Sequence, residues 1–542
     1  MRSVAQNAKR SLHLSGSPNG DPPMAYNSRK PGDTRLSGKT AGRWVLAAAI
    51  LGSSVSFIDG TVVNVALPVL QTSLNATVAQ TQWVVESYSL MLSALILVGG
   101  SLGDRLGRNK VFSAGVFLFG ASSIWCAISP DITQLIIARG LQGIGAALLV
   151  PGSLALISAN FSKEKRGRAI GTWSGISAVA AGIGPVLGGW LVQNVSWRAV
   201  FWINVPTCAA VLLISWLRIP ESLDDEAAKS RFDWLGPLLA TVGLGGIVLG
   251  LVESNGRGFS DALVIASLAI GVIALGSFIF AEYREKHPMM PLGLFASPVF
   301  MGANLLTLFL YAGLSALMFF LPFDLIQIQG YPPTAAGAAL LPFVITMFVL
   351  SRWAGGLVDQ YGSRLPLTVG PLIAAAGFAL FALPGADSQS YWTSFFPAVM
   401  VMSIGMSIAV APLTTTVMGA VEERHAGIAS GINNAVSRTA GLLAIAIFGV
   451  IMMISFGRGL EQRVQQLNVS DGVRSEIVAG QREFIQLEPP PEADPEARTA
   501  IKQMVNASFV DGFRVVILLC SALGLLSAIF AWLLIPKRKL SC

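Results

Sequence analysis

The sequence predicts an all-α polytopic membrane protein: two six-helix bundles plus two extra central spans, fourteen transmembrane helices in all. Three observations carry this. Hydrophobic residues make up 53% of the 542-residue chain and charged ones only 12%, against roughly 25% charged in soluble proteins. Apolar runs of about 20 residues, the length needed to cross the hydrocarbon core as a helix, recur along most of the chain. The loops between them alternate between basic and nearly uncharged, the pattern that orients helices in a membrane.

The candidate spans are 44–69, 82–103, 111–129, 134–157, 168–193, 199–219, 234–253, 262–282, 299–326, 334–357, 365–384, 392–418, 427–456 and 509–535. One set of loops carries Arg105, Arg108 and Lys110, then Lys163, Lys165, Arg166 and Arg168, then Lys229 and Arg231, then Arg284 and Lys286. The alternate set, such as Gln71 to Gln82, is almost free of charge. Basic loops stay in the cytoplasm. Both termini are therefore expected there, in a multi-pass protein of the cytoplasmic (inner) membrane, which requires an even number of spans.

The expected organisation is a disordered cytoplasmic tail at 1–43, an N-terminal bundle at 44–219 and two inserted spans with their loops at 220–298. A C-terminal bundle at 299–535 and a cytoplasmic tail at 536–542 complete it. The C-terminal bundle includes a long polar segment at about 457–507, containing Glu488-Pro-Pro-Pro-Glu492, which the alternation places outside as a solvated loop with short amphipathic helices.

Composition also excludes several functions. The net charge of +7 comes from basic residues clustered in short loops, so it sets topology and does not imply nucleic acid as a partner. The four cysteines lack C-x-x-C spacing, the three histidines lie far apart and there is no H-E-x-x-H. No metal, cofactor or enzymatic activity is expected. The polar N-terminal segment lacks the apolar core of a signal peptide.

The chain repeats itself. Gly100-Ser-Leu-Gly-Asp104-Arg105-Leu-Gly107-Arg108 follows the second span, and Gly355-Gly-Leu-Val-Asp359-Gln-Tyr-Gly362 follows the tenth. Both read G-x-L-x-D-x-x-G. Glycines permit a tight turn, and the aspartate can cap a helix or pair with a cation. Such contacts can latch one side of a transporter in one state and release it in the other. Repeated halves around a central site are a common transporter plan.

Ionisable residues within spans mark functional sites, because they are costly there. Arg139 of the fourth span is about 9 Å from its outer end, Asp59 of the first about 13 Å and Glu86 of the second about 6 Å, at 1.5 Å per residue. They are the candidate proton-coupling group, with Glu86 shallow enough to reach interfacial water. In the fifth span, Gly175, Gly184, Pro185, Gly188 and Gly189 form a small-residue face for helix approach. Asp324 and Asn433 are candidates for a substrate-binding or second ionisable site.

These residues resemble the major facilitator superfamily, and within it the fourteen-span drug:proton antiporter branch. Gly100–Lys110 is similar to the signature turn after the second span, and Arg139 with Gln142 and Gly143 to the fourth-span motif. Gly175–Gly189 resembles the antiporter motif of the fifth span. Asp59 with Thr61, Asn64 and Pro68 resembles the first-span motif of the branch. The second turn departs from the pattern, with Gln360 opposite Arg105 and Ser363 opposite Arg108. The resemblance implies the major facilitator fold and a proton-coupled antiporter, favoured as a monomer. Its partners would be a small-molecule substrate, protons and the lipid bilayer, and it would export lipophilic or cationic drugs and toxic compounds by alternating access. The alternatives are export of an endogenous metabolite, antibiotic or lipid, and a non-transporting sensor or scaffold.

Overall fold

A computed structural model describes residues 38–161, 163–222, 233–285, 288–386, 390–421, 426–467, 470–479, 487 and 495–537. Most of the expected N-terminal tail, the end of the C-terminal one and most of the segment around Glu488–Glu492 lie outside the described residues. The first half comprises α1 (Gly38–Ser73), α2 (Val78–Leu106), α3 (Arg108–Ile128), α4 (Ile132–Asn160), α5 (Lys163–Asn194) and α6 (Ala199–Arg218). Next come α7 (Leu235–Arg257) and α8 (Ala262–Arg284). The second half comprises α9 (Pro298–Phe323), α10 (Pro333–Ala338 continuing as Leu341–Tyr361), α11 (Arg364–Leu380), α12 (Phe396–Gly419), α13 (Ala426–Val464) and α14 (Pro495–Leu534).

Among the described residues, thirteen helices are long and apolar enough to cross a membrane, and the 17-residue α11 is apolar but shorter. Together they account for the fourteen spans. Their starts are chemically marked. Thr77 and Gln80 form a reciprocal capping box at α2, and Asp131, Asp261 and Ser297 cap α4, α8 and α9. Pro322 near the end of α9 precedes a π-helical turn over Asp324–Ile328.

The helix contacts of the first half recur in the second. α1 packs on α5, α2 and α3 on α4, and α3 and α1 on α6. Eight helices later, α9 packs on α13, α10 and α11 on α12, and α11 and α9 on α14. The halves meet along two seams, α2 with α13 and α5 with α10, and α1 also touches α9. The hairpin α7–α8 lies at the periphery: α7 leans on both α2 and α13, placing Leu244, Val248 and Val252 against Leu90, Ala94, Leu442 and Ala446.

The segment expected as a solvated loop is more helical and better packed than its polarity suggests. α13 runs on to Val464, a short helix spans Asp471–Ala479, and α14 begins at Pro495. Phe456, Leu460, Val464, Val473, Ile477, Leu487, Ile501, Val505 and Phe509 are buried and continuous with the core of the second half. Spacings of three and four residues place one apolar stripe on each extended helix, while the other faces stay polar.

The face at which α1 begins and α14 ends is the basic face. Toward the other, opposite face, α5 is clamped between α1 and α10. A Cβ on Gly184 would strike the Thr61 hydroxyl, and one on Gly188 would come within 2.6 Å of Val62 Cγ2. A Cβ on Gly189 would run into the Pro333 carbonyl of α10, and one on Gly337 into the Pro185 carbonyl of α5. Toward the basic face this contact falls away: a Cβ at Gly171, Gly175, Gly355 or Gly356 would meet nothing within 4 Å. The α5–α10 seam is therefore closed at the opposite face and parted at the basic face. Gly189→Val should cost about 1–3 kcal/mol through overpacking and raise labelling of a Gln193→Cys reporter by a thiol reagent. Gly175→Val should leave both melting temperature and labelling close to wild type.

Candidate functional site

Arg139 and Asp59 meet in the interior of the first half. Both are buried, at 1% and 0% exposure, and Arg139 Nη1 donates to Asp59 Oδ2 at 2.5 Å. The other carboxylate oxygen, Oδ1, accepts from Gln142 Nε2 of α4 and from Asn204 Nδ2 of α6, both at 2.9 Å. Arg139 Nε donates to the Val84 carbonyl of α2 at 3.1 Å, and Nη1 also reaches Gln142 Oε1 at 2.7 Å. Ser123 of α3 accepts from Gln142 and Asn204 and donates to the Phe201 carbonyl. The Arg139 guanidinium lies 4.3 Å from the centre of the Tyr88 ring, whose hydroxyl is paired with Ser56 Oγ at 2.8 Å. Both Asp59 oxygens thus accept hydrogen bonds from N–H donors, the pattern of a carboxylate that carries no proton.

Local sequence makes this possible. Residues 139, 142 and 143 fall on one face of α4. The absence of a side chain at Gly143 lets that face come onto the Tyr88 carbonyl, which brings the guanidinium within reach of α2's backbone one turn away.

Glu86 does not join the pair. It is fully buried, and neither carboxylate oxygen has a hydrogen-bond partner among the described residues. It lies one turn from Gln82, which donates to the Ile445 carbonyl of α13, and one turn from Leu90, which packs on α7 and α13. Glu86 therefore faces the junction of α2, α7 and α13, while Val84 and Tyr88 face Arg139. The expected access to interfacial water fails because depth along a helix does not reveal which face is covered by a neighbour.

Asp324 is buried at the first residue of the π-helical turn, with Gln329 Nε2 3.5 Å away. Asn433 bridges α13 to α9, donating to Asn304 Oδ1 at 3.1 Å and Thr307 Oγ1 at 2.7 Å. The structure does not bring these two together.

The repeated turns share their geometry. Gly107 and Gly362 end α2 and α10 with φ of +112° and +73°, a region that disfavours any side chain. Asp104 pairs with Arg108 at 2.8 Å across the first turn, beside Arg105 and one turn past Gly100. Asp359 occupies the equivalent place in the second turn and is exposed.

The first turn has a partner that the sequence reading missed. The Glu221 carboxylate, just beyond α6, accepts from the backbone N–H of Asn109 at 3.0 Å and of Lys110 at 3.1 Å. Ser222 O accepts from Arg108 N, and Asn109 Nδ2 donates to the carbonyls of Ser215 and Ile219. An anion at a helix N-terminus is stabilised by the helix dipole and its free N–H groups, so Glu221 ties α6 to the start of α3. A Cβ on Gly107 would lie 2.7 Å from this carboxylate. The available signal was an acidic residue directly after an apolar span, in Pro220-Glu221-Ser222, but its partner lies 112 residues away.

In the antiporter-type motif, Gly184, Pro185, Gly188 and Gly189 take part in the clamp between α1 and α10, and Gly175 does not.

A model of the Major Facilitator Superfamily matches residues 49–456. The chain belongs to that superfamily. This transporter is 30% identical to the tetracenomycin C resistance and export protein of Streptomyces glaucescens, over 92% of its length and 93% of the relative's. It is 33% identical to the multidrug resistance protein Stp of Mycobacterium tuberculosis over 80% of each chain. It is 33% identical to the methylenomycin A resistance protein of Bacillus subtilis over 79% of its length and 91% of the relative's. A bacterial homolog of the human lysosomal transporter Spinster shares its fold, with a TM-score of 0.63 at 18% identity over 93% of this chain and 100% of the other. So does a D-xylose–proton symporter, at 0.58 and 15% over 92% and 98%.

Two outcomes follow for the transporter's stability. Removing one member of a buried pair leaves an uncompensated charge and costs about 3–5 kcal/mol. Arg139→Ala should therefore lower thermal stability more than the double variant Asp59→Asn/Arg139→Gln, as read by size-exclusion thermostability. Glu221→Gln should weaken the docking of α6 on α3 by about 1 kcal/mol, seen as faster amide exchange at Asn109 and Lys110 with little change elsewhere.

Proposed function

We propose that this transporter is a proton-coupled exporter of lipophilic drug-like compounds across the cytoplasmic membrane, with the basic face and both termini in the cytoplasm. One observation carries the coupling reading: the Asp59–Arg139 pair sits on helices mechanically tied to a seam between the halves. Two residues beyond Asp59, Thr61 donates to the Ala181 carbonyl of α5 at 3.0 Å. α5 is in turn locked to α10 through Pro185 and Gly189. A change at the α5–α10 seam therefore pulls on α1 and on the Asp59 carboxylate. The relatives that export or resist antibiotics and drugs supply the direction of transport and the substrate class.

In this scheme the described state, with α5 and α10 parted at the basic face, receives substrate from the cytoplasm with Asp59 paired and unprotonated. Parting of the opposite face draws α1 away from α4. An unpaired carboxylate in a water-poor site takes up a proton, which enters from outside. Return to the first state restores Arg139 to Asp59 and releases the proton inward. Glu86, buried at the α2–α13 seam with no hydrogen-bond partner among the described residues, is the second candidate carrier and exchanges its proton when that seam opens to water. The Asp104–Arg108 turn, braced by Glu221, acts as the latch on the basic face.

Substrates can be identified by comparing the susceptibility of a deletion strain and an overexpressing strain to a compound panel. With one of these, Asp59→Asn in proteoliposomes should abolish accumulation against a gradient and substrate-induced proton release, while leaving downhill exchange. Unchanged proton movement in that variant would remove Asp59 from the coupling role. The topology is checked independently: a cysteine replacing Gln71 should label from outside, and one replacing Arg166 should not.

A further inference from the structure

A second arginine lies near the middle of the membrane and the sequence reading passed over it. Arg438 is about 18 Å along α13 from Ala426 at 1.5 Å per residue. Its guanidinium carbon lies 5.5 Å from the centre of the Phe57 ring of α1, in the other half of the molecule. Phe57 is about 22 Å along α1 from Gly42, and Tyr311 about 20 Å along α9 from Pro298. The three residues therefore stand at one depth on three helices around the interface between the halves. Tyr311 and Tyr88 both lie within the electrostatic reach of Arg438.

Arg438 differs from Arg139 in its charge balance. Arg139 is sealed and neutralised by Asp59. Arg438 is half-buried, and no carboxylate among the described residues pairs with it. Asp59 is already saturated, and Glu86 and Asp324 are enclosed. A guanidinium left uncompensated at mid-membrane repels a lipophilic cation and attracts an anion, and the low-dielectric walls strengthen both effects. Its planar fork of N–H donors matches a carboxylate, sulfonate or phenolate. Phe57 and Tyr311 offer apolar ring surface to a flat hydrophobic body.

We propose that Arg438 is the charge-reading residue of the substrate site, and that the preferred substrates are aromatic amphiphiles carrying an acidic group. This rests on the reading of the chain as a small-molecule exporter and narrows its substrate class. Lipophilic cations are then disfavoured cargo.

Two dyes built on the same xanthene frame test it. Fluorescein carries a carboxylate and a phenolate, and rhodamine 6G is an esterified cation. Each is titrated by fluorescence anisotropy against the purified full-length protein in phosphatidylcholine nanodiscs. Wild type should bind fluorescein more tightly than rhodamine 6G. Arg438→Gln should weaken fluorescein by about tenfold or more and leave rhodamine 6G unchanged or tighter. Arg438→Lys, which keeps the charge and loses the fork, should fall between. The proposal is overturned if wild type prefers rhodamine 6G, if Arg438→Gln leaves fluorescein binding intact, or if it weakens both dyes alike. The wild-type preference is decisive by itself should Arg438→Gln fail to fold. Counterflow in proteoliposomes separates the two readings: fluorescein bound but not moved rejects export and leaves the site standing. Movement of rhodamine 6G alone keeps export and rejects the acidic substrate class.

Discussion

A carboxylate and a guanidinium placed side by side in lipid dictate much of the first half's architecture. Separately, each charge would cost several kcal/mol to bury, and the pair recovers this only if every remaining donor and acceptor is met. Both Asp59 oxygens and the Arg139 Nε and Nη1 are met by each other and by Gln142 on α4, Asn204 on α6 and the Val84 carbonyl on α2, while Ser123 on α3 holds the two amides and the Tyr88 ring lies against the guanidinium. Displacing any one of these helices strips a partner from a buried charge. α2, α3, α4 and α6 are thereby held together around Arg139, and α1, which carries Asp59, is the helix whose displacement breaks the pair.

The α5–α10 seam is built on a different principle. There glycines face backbone carbonyls, Gly189 on Pro333 and Gly337 on Pro185, and the Val344 side chain sits against Gly182. Backbone-to-backbone contact of this kind packs closely with few knobs to withdraw before the helices part. A rigid interior and smooth seams favour two well-defined arrangements over a continuum of distortions.

Much of this was readable in the sequence, for identifiable reasons. Hydropathy and loop charge report span number because lipid penalises exposed charge so heavily. Asp59 and Arg139 could be matched by depth because consecutive spans run through the same 30 Å slab. Of their other partners, Gln142 stood inside a recognised motif, but an uncharged amide such as Gln142 or Asn204 carries no signal of what it will bond. Depth alone misplaced Glu86, since the covering helices α7 and α13 are remote in sequence. Glu221 was invisible for the same reason. The extended ends of α13 and α14 were read as loop because averaging over polar faces hides a narrow apolar stripe. Arg438 was lost among the small polar residues around it in Asn433-Asn434-Ala-Val-Ser-Arg438-Thr.

The peripheral hairpin gives the molecule handedness that a pair of equivalent halves would lack. α7 spans α2 and α13 and adds an apolar belt across that seam, while no helix among the described residues does so for α5 and α10. Parting α2 from α13 must also strip α7 from one of them, exposing Leu244, Val248 and Val252. The α5–α10 seam carries no such surcharge. The two lateral seams are therefore unequal, and the one away from the hairpin parts without uncovering a further apolar helix.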